Sequence, residues 1–121
     1  MLVEYAPPIV IHKYPLVKRS EQRTAAALRA LGEPRRVEIL RHLRDGPRAV
    51  GELAALVDVT QQAASQHLAV LAEAGLVEAR RSGTRNLYAV RPAGFAPVEQ
   101  FLRSFWGEKL AALKDEIERD G

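Results

Sequence analysis

The sequence predicts a mainly α-helical domain with one small β-hairpin, in the order α-α-α-α-β-β-α. Three observations predict it. Apolar residues recur at helical spacing from Ser20 to Glu73, and alternation replaces that spacing only at "LVEARRSGTRNLYAV". After Pro97 an aromatic-rich helical pattern returns. With 121 residues the chain makes one domain, large enough for a single core and small enough for a partner subunit to matter.

Each element has its own signal. Residues 1–19 form an arm in which Pro7, Pro8 and Pro15 flank "IVI" and favour an extended path. Ser20 starts the first helix, with Ala26, Leu28, Ala30 and Leu31 apolar, and Gly32 ends it. Pro34 suits the first turn of the second helix, because the N–H it lacks would find no helical partner there. Val37, Ile39, Leu40 and Leu43 carry that helix to the stop at Gly46-Pro47. A short helix follows over Val50–Val57, with Leu53, Ala54 and Leu56 apolar. It starts without its cap, since Ala49 stands where Ser or Thr would complete a capping box with Glu52.

Thr60 is the N-cap of the fourth helix, whose apolar face is Ala64, Leu68, Leu71 and Ala72 and which Gly75 closes. The hairpin turns at Ser82-Gly83-Thr84, with a basic tip. Beyond the Pro92–Pro97 stretch, the last helix carries Val98, Phe101, Leu102, Phe105, Trp106, Leu110, Leu113 and Ile117. The division this suggests is an arm at 1–19, a unit at 20–91 holding four helices and the hairpin, and a C-terminal helix at 92–121.

Composition narrows the function. No cysteine is present, which excludes disulfides, thiolate catalysis and thiolate metal sites. His12, His42 and His67 are too scattered to make a metal site by themselves, so no metal and no cofactor are expected. Neither an acid/base pair, a nucleophile motif nor a glycine-rich phosphate loop stands out, and the chain does not read as an enzyme. No apolar run reaches membrane-spanning length, and the first residues lack the pattern of a secretory signal, which places the protein in the cytoplasm. The net charge of +3 is only mildly basic, but Arg80, Arg81 and Arg85 cluster around one glycine while the tail from Glu108 to Asp120 is net acidic.

The fourth helix carries the most specific signal. Its front half crowds Gln61, Gln62, Ser65, Gln66 and His67 onto barely two turns. Packing has no use for them, whereas DNA does. A major groove about 12 Å wide admits one helix, and an amide offers a base edge both a donor and an acceptor. Gln62 and Gln66 lie one turn apart and opposite Leu68, so they project outward while the leucines dock. Helix N–H groups near Thr60 suit a phosphate. Behind them Arg80, Arg81, Thr84, Arg85 and Asn86 surround a glycine tip that can approach the backbone or the minor groove. One glutamine alone is ordinarily a solvated helix residue, wing arginines can simply protect a strand edge, and His67 fits packing as well as contact. It is the ordered set of two short helices, a polar second one and a basic hairpin that makes a winged helix-turn-helix reading double-stranded DNA.

The strings "ALGEPRRVEILRHL", "VGELAALVDVTQQAASQHLAVLAEAGLVEARRSGTRNLYAV" and "FLRSFWGEKLAAL" resemble the arsenic-repressor (ArsR/SmtB) family of bacterial transcriptional repressors, from about Ala26 to Ile117. The resemblance implies a homodimeric winged helix on a palindromic operator, with Thr60–Glu73 as reading helix and Arg80–Leu87 as wing. It implies a dimer interface of Leu28 and Leu31 with Phe101, Leu102, Phe105, Trp106, Leu110 and Leu113. Metal-sensing members carry a cysteine pair before the reading helix, where this chain has "VGELAALVD", or paired ligands along the last helix, where it has no histidine. The aromatic "FLRSFW" tail resembles the metal-independent branch. Two alternatives stand beside a metal-free repressor. One is a ligand- or metal-responsive sensor of the same fold, with a small apolar effector between the last helix and the arm. The other is a protein-interaction module without DNA binding, disfavoured because protein interfaces prefer an apolar centre.

Overall fold

A computed structural model describes residues 18–120, without the side chains of residues 106–108, 110 and 120. The arm therefore lies outside the described residues except for Lys18 and Arg19. Helix α1 (Arg19–Leu31) begins one residue before Ser20. It presents small side chains inward, burying Ala27 and Ala30, and its buried Thr24 hydroxyl donates to the Ser20 carbonyl at 2.7 Å. Helix α2 (Pro34–Leu43) follows at once. Glu33 caps it, its carboxylate accepting from the N–H groups of Arg35 at 2.7 Å and Arg36 at 3.4 Å.

The expected order of elements holds, with a short strand and a 3₁₀ turn added. Arg48–Ala49 form a short strand, β1, that joins the hairpin strands β2 (Val77–Ser82) and β3 (Arg85–Val90) in an antiparallel sheet ordered β1-β3-β2. Two residues are too few for alternation to reveal. Helix α3 (Val50–Leu56) follows β1 directly, and it starts without a side-chain cap, as expected. Ala49 has no side-chain acceptor, but its N–H donates to Glu52 Oε1 at 2.8 Å, so half of a capping box forms. That half needs only the backbone of Ala49.

Between α3 and helix α4 (Gln61–Glu73) the chain turns through Asp58, which sits at φ +56°, the left-handed region that Asp tolerates better than most residues. Ala64, Leu68 and Leu71 are buried on α4 as the spacing predicts, whereas Ala72 is exposed. They join Ile39, Leu43, Leu53, Val57, Leu76 and Val77 in one core. A single 3₁₀ turn (Pro92–Phe95) then leads into the long helix α5 (Ala96–Asp120). Its 25 residues span roughly 37 Å at 1.5 Å per residue. Among the described residues no helix is long and apolar enough to cross a membrane.

Candidate nucleic-acid interface

Helix α4 is held by its apolar face and shows its polar one. Thr60 Oγ1 accepts from the Ala63 N–H at 3.0 Å, so this hydroxyl closes the helix start. The first turn contains no acidic residue, which leaves the N-terminal N–H groups open to an anion. Gln61, Gln62, Ser65 and Gln66 are all exposed. His67 is different. It is half-buried, its Nδ1 lying 3.5 Å from Nη1 of Arg36 on α2. The structure thus brings the four neutral side chains onto one open surface and turns the histidine toward the neighbouring helix.

The wing is a regular hairpin. Gly83 has φ +65°, and Thr84 is not among the residues with positive φ, which gives the two-residue loop the pattern of a type II′ turn. Register then sorts the polar side chains. Arg81 stands opposite Asn86 and shares its face, while Arg80 and Arg85 share the other face with Ser82 and Leu87. On that second face both arginines have carboxylate partners, Arg80 with Glu78 at 3.1 Å and Arg85 with Glu52 at 3.4 Å. All four pairing side chains are about half exposed, so these are surface ion pairs of modest strength, about 0–1 kcal/mol each.

Three further arginines account for part of the basic composition by a structural route. Arg36 Nε donates to the Ala30 carbonyl at 2.6 Å, and its Nη2 reaches the Arg29 carbonyl at 3.4 Å. Arg48 Nε donates to the His42 carbonyl at 3.1 Å, and Arg91 Nη1 to the Gly75 carbonyl at 3.2 Å. Each places a positive charge on carbonyls at or just past a helix C-terminus, where the helix dipole favours it. Sequence reading did not single out these residues. The signal available was position, since each follows within a few residues of a helix stop or a strand end.

The second surface lies on α1 and α5, which pack against each other. Leu28, Phe101, Leu102, Phe105 and Leu113 are all exposed, Phe105 at 65%. Phe101 and Phe105 meet edge to face with ring centroids 5.0 Å apart. Leu31, expected on the same surface, is instead half-buried against the core. The side chains of Trp106 and Leu110 lie outside the described residues. Exposed large apolar side chains in such number are uncommon on the surface of a monomer. Among the described residues no three His, Asp or Glu side chains converge as metal ligands, and His12 falls outside them.

Known proteins share both sequence and shape with this arrangement. Residues 33–79 match the family described as bacterial regulatory protein, arsR family. The HTH-type transcriptional regulator Rv2034 of Mycobacterium tuberculosis is 41% identical over 95 residues, covering 78% of this chain and 89% of that protein. The biofilm growth-associated repressor of Agrobacterium fabrum is 37% identical over 83 residues, covering 67% of this chain and 71% of that one. Among solved structures, the homodimeric winged helix-turn-helix DNA-binding domain of Mb0332 from Mycobacterium bovis superposes with a TM-score of 0.59. It is 35% identical and covers 74% of this chain and 82% of its own.

Proposed function

The chain belongs to the arsR family of bacterial regulatory proteins, DNA-binding transcriptional regulators and not enzymes, and from that premise we propose that it is a homodimeric repressor of a palindromic operator that works without a resident metal. In this reading residues 20–91 recognise the DNA, and the helix within 92–121 makes the dimer together with α1. Gln62 and Gln66 read base edges, with Gln61 and Ser65 beside them. The N-terminus of α4 at Thr60 and a basic side chain of the wing hold phosphates. His67 takes a lesser part because Arg36 already engages it.

The observation that carries the reading is the neutral, exposed face at the front of α4, directly opposite buried Leu68. Neutral amides there gain little from bulk electrostatics but pair bidentately with adenine. A two-fold dimer would set two such helices one DNA turn apart, roughly 34–36 Å. Metal independence is supported by the chemistry of the chain, which has no thiolate and no histidine on α5.

Selection of bound duplexes from a random-sequence library with the full-length protein tests this. The expected product is a two-fold symmetric site with half-sites spaced by about one helical turn. Enrichment of a single asymmetric half-site, or of nothing, would overturn it. Zinc, cadmium or a strong chelator should leave affinity for the selected site unchanged, and a tenfold shift with stoichiometric metal would remove the metal-free part. Placed upstream of a reporter, the selected site should lower expression when the protein is present, and raised expression would exclude repression.

A further inference from the structure

The polar side chains of the wing are divided between the two faces of the hairpin. Arg81 and Asn86 are directly opposite each other across β2 and β3, and both are exposed. Neither makes a side-chain hydrogen bond or an ion pair among the described residues. On the other face Glu78 engages Arg80 at 3.1 Å and also approaches Arg91 at 3.8 Å. Glu52 engages Arg85 from outside the hairpin, at 3.4 Å. Its carboxylate is held in place, because the same Oε1 accepts the Ala49 N–H at 2.8 Å, and Ala49 pairs with Leu87 two residues along β3 from Arg85.

We propose that Arg81, with Asn86 beside it, is the phosphate contact of the wing, and that Glu52 withholds Arg85 from DNA and so lowers affinity for DNA of any sequence. The proposal rests on the DNA-binding reading above and deepens it. An arginine whose charge is already compensated releases fewer counterions from DNA than a bare one. Moving Arg85 onto a phosphate would also leave the anchored Glu52 carboxylate close to a second negative charge. Phosphate contacts act at every sequence, so withholding one lowers affinity for all duplexes about equally.

Salt dependence of binding to a random-sequence duplex of fixed length, with the full-length protein, separates the roles. Arg81→Gln should flatten the slope of log affinity against log salt by about one unit, and Arg85→Gln should leave it unchanged. Glu52→Gln keeps an oxygen for the Ala49 N–H and should steepen the slope by about one unit as Arg85 becomes free. In the double variant Glu52→Gln/Arg85→Gln that gain should vanish. If Arg85→Gln flattens the slope as much as Arg81→Gln, Glu52 does not hold its arginine on DNA and the proposal falls. It falls equally if the Glu52→Gln gain survives without Arg85, which would mean a general field effect. A wild-type protein with no salt-dependent binding to any duplex would remove the DNA-binding reading itself, a result distinct from either of these.

Discussion

A Cβ placed on Gly94 would run into the carbonyl oxygen of Gly75, so these two glycines bring their backbones together with no side chain between them. Gly75 follows the end of α4 with φ +82°, and Gly94 lies in the 3₁₀ turn from which α5 departs. Arg91 ties the same point twice, its N–H donating to the Leu76 carbonyl at 2.8 Å and its guanidinium to the Gly75 carbonyl. The end of α4 and the root of α5 therefore meet at one closely packed joint. If α5 makes the dimer, this joint fixes where the two reading helices stand.

The first prediction follows from that contact. Gly94→Ala forces a methyl group into backbone and should destabilise the fold by about 1–3 kcal/mol, as overpacking does in a filled core. Operator affinity should fall further than stability alone explains, because the spacing of the reading helices shifts. Urea denaturation and titration with the selected operator check the two effects. A variant as stable as wild type would mean that the joint yields locally.

Arg36 supplies the second. Its guanidinium spans carbonyls in the last turn of α1 and approaches His67 on α4, linking the first helix to the fourth. Arg36→Ala should cost about 1–2 kcal/mol through lost charge-assisted hydrogen bonds. It should leave the salt slope of DNA binding unchanged, because this charge faces carbonyls and not phosphates. Lysine should rescue little, since an ammonium lacks the planar fork that reaches several acceptors at once. A flattened slope would make Arg36 a DNA contact instead.

These arginines show where legibility in the sequence stops. The five helices, the hairpin and the front face of α4 all follow from local rules: a Thr60 cap, leucines at helical spacing, a glycine turn between alternating residues. Arg36, Arg48 and Arg91 carry the same charge as Arg81, and nothing local distinguishes them. Their role depends on which helix end the fold brings within reach. The division of the wing is subtler. It was implicit in the parity of residues 80, 81, 85 and 86, but it acquires meaning only when register and Glu52, a residue 33 positions from Arg85, are known. Strand β1 and the contact between Gly75 and Gly94 are likewise tertiary facts that periodicity does not record.

The third prediction tests readout. Gln62→Ala or Gln66→Ala should each weaken binding to the selected operator by about 1–3 kcal/mol and binding to random duplex by little, as expected for bidentate base contacts. Both side chains are exposed, so stability should change by less than about 0.5 kcal/mol. Equal losses on both DNAs would assign them to the backbone. Fluorescence anisotropy with the two duplexes gives the comparison directly.

The fourth concerns the dimer, on which palindromic readout depends. Phe105 is 65% exposed beside Phe101, and Leu102 and Leu113 of α5 and Leu28 of α1 are exposed as well. A helix folded back on its own domain would hide such residues, and here they remain open. Covering them with a second copy would contribute roughly 1.5–3 kcal/mol per large side chain, and a two-fold axis counts each contact twice. A carboxylate at the same place would be buried without a partner, at a cost of several kcal/mol to the dimer. Phe105→Glu should therefore give monomers by analytical ultracentrifugation and lose tight operator binding. Helical content should survive, because the side chain is largely outside the monomer core. The two losses should also appear together, since one reading helix cannot hold both half-sites. A Phe105→Glu protein that stays dimeric and binds the operator normally would place the interface elsewhere and leave this apolar face to another partner.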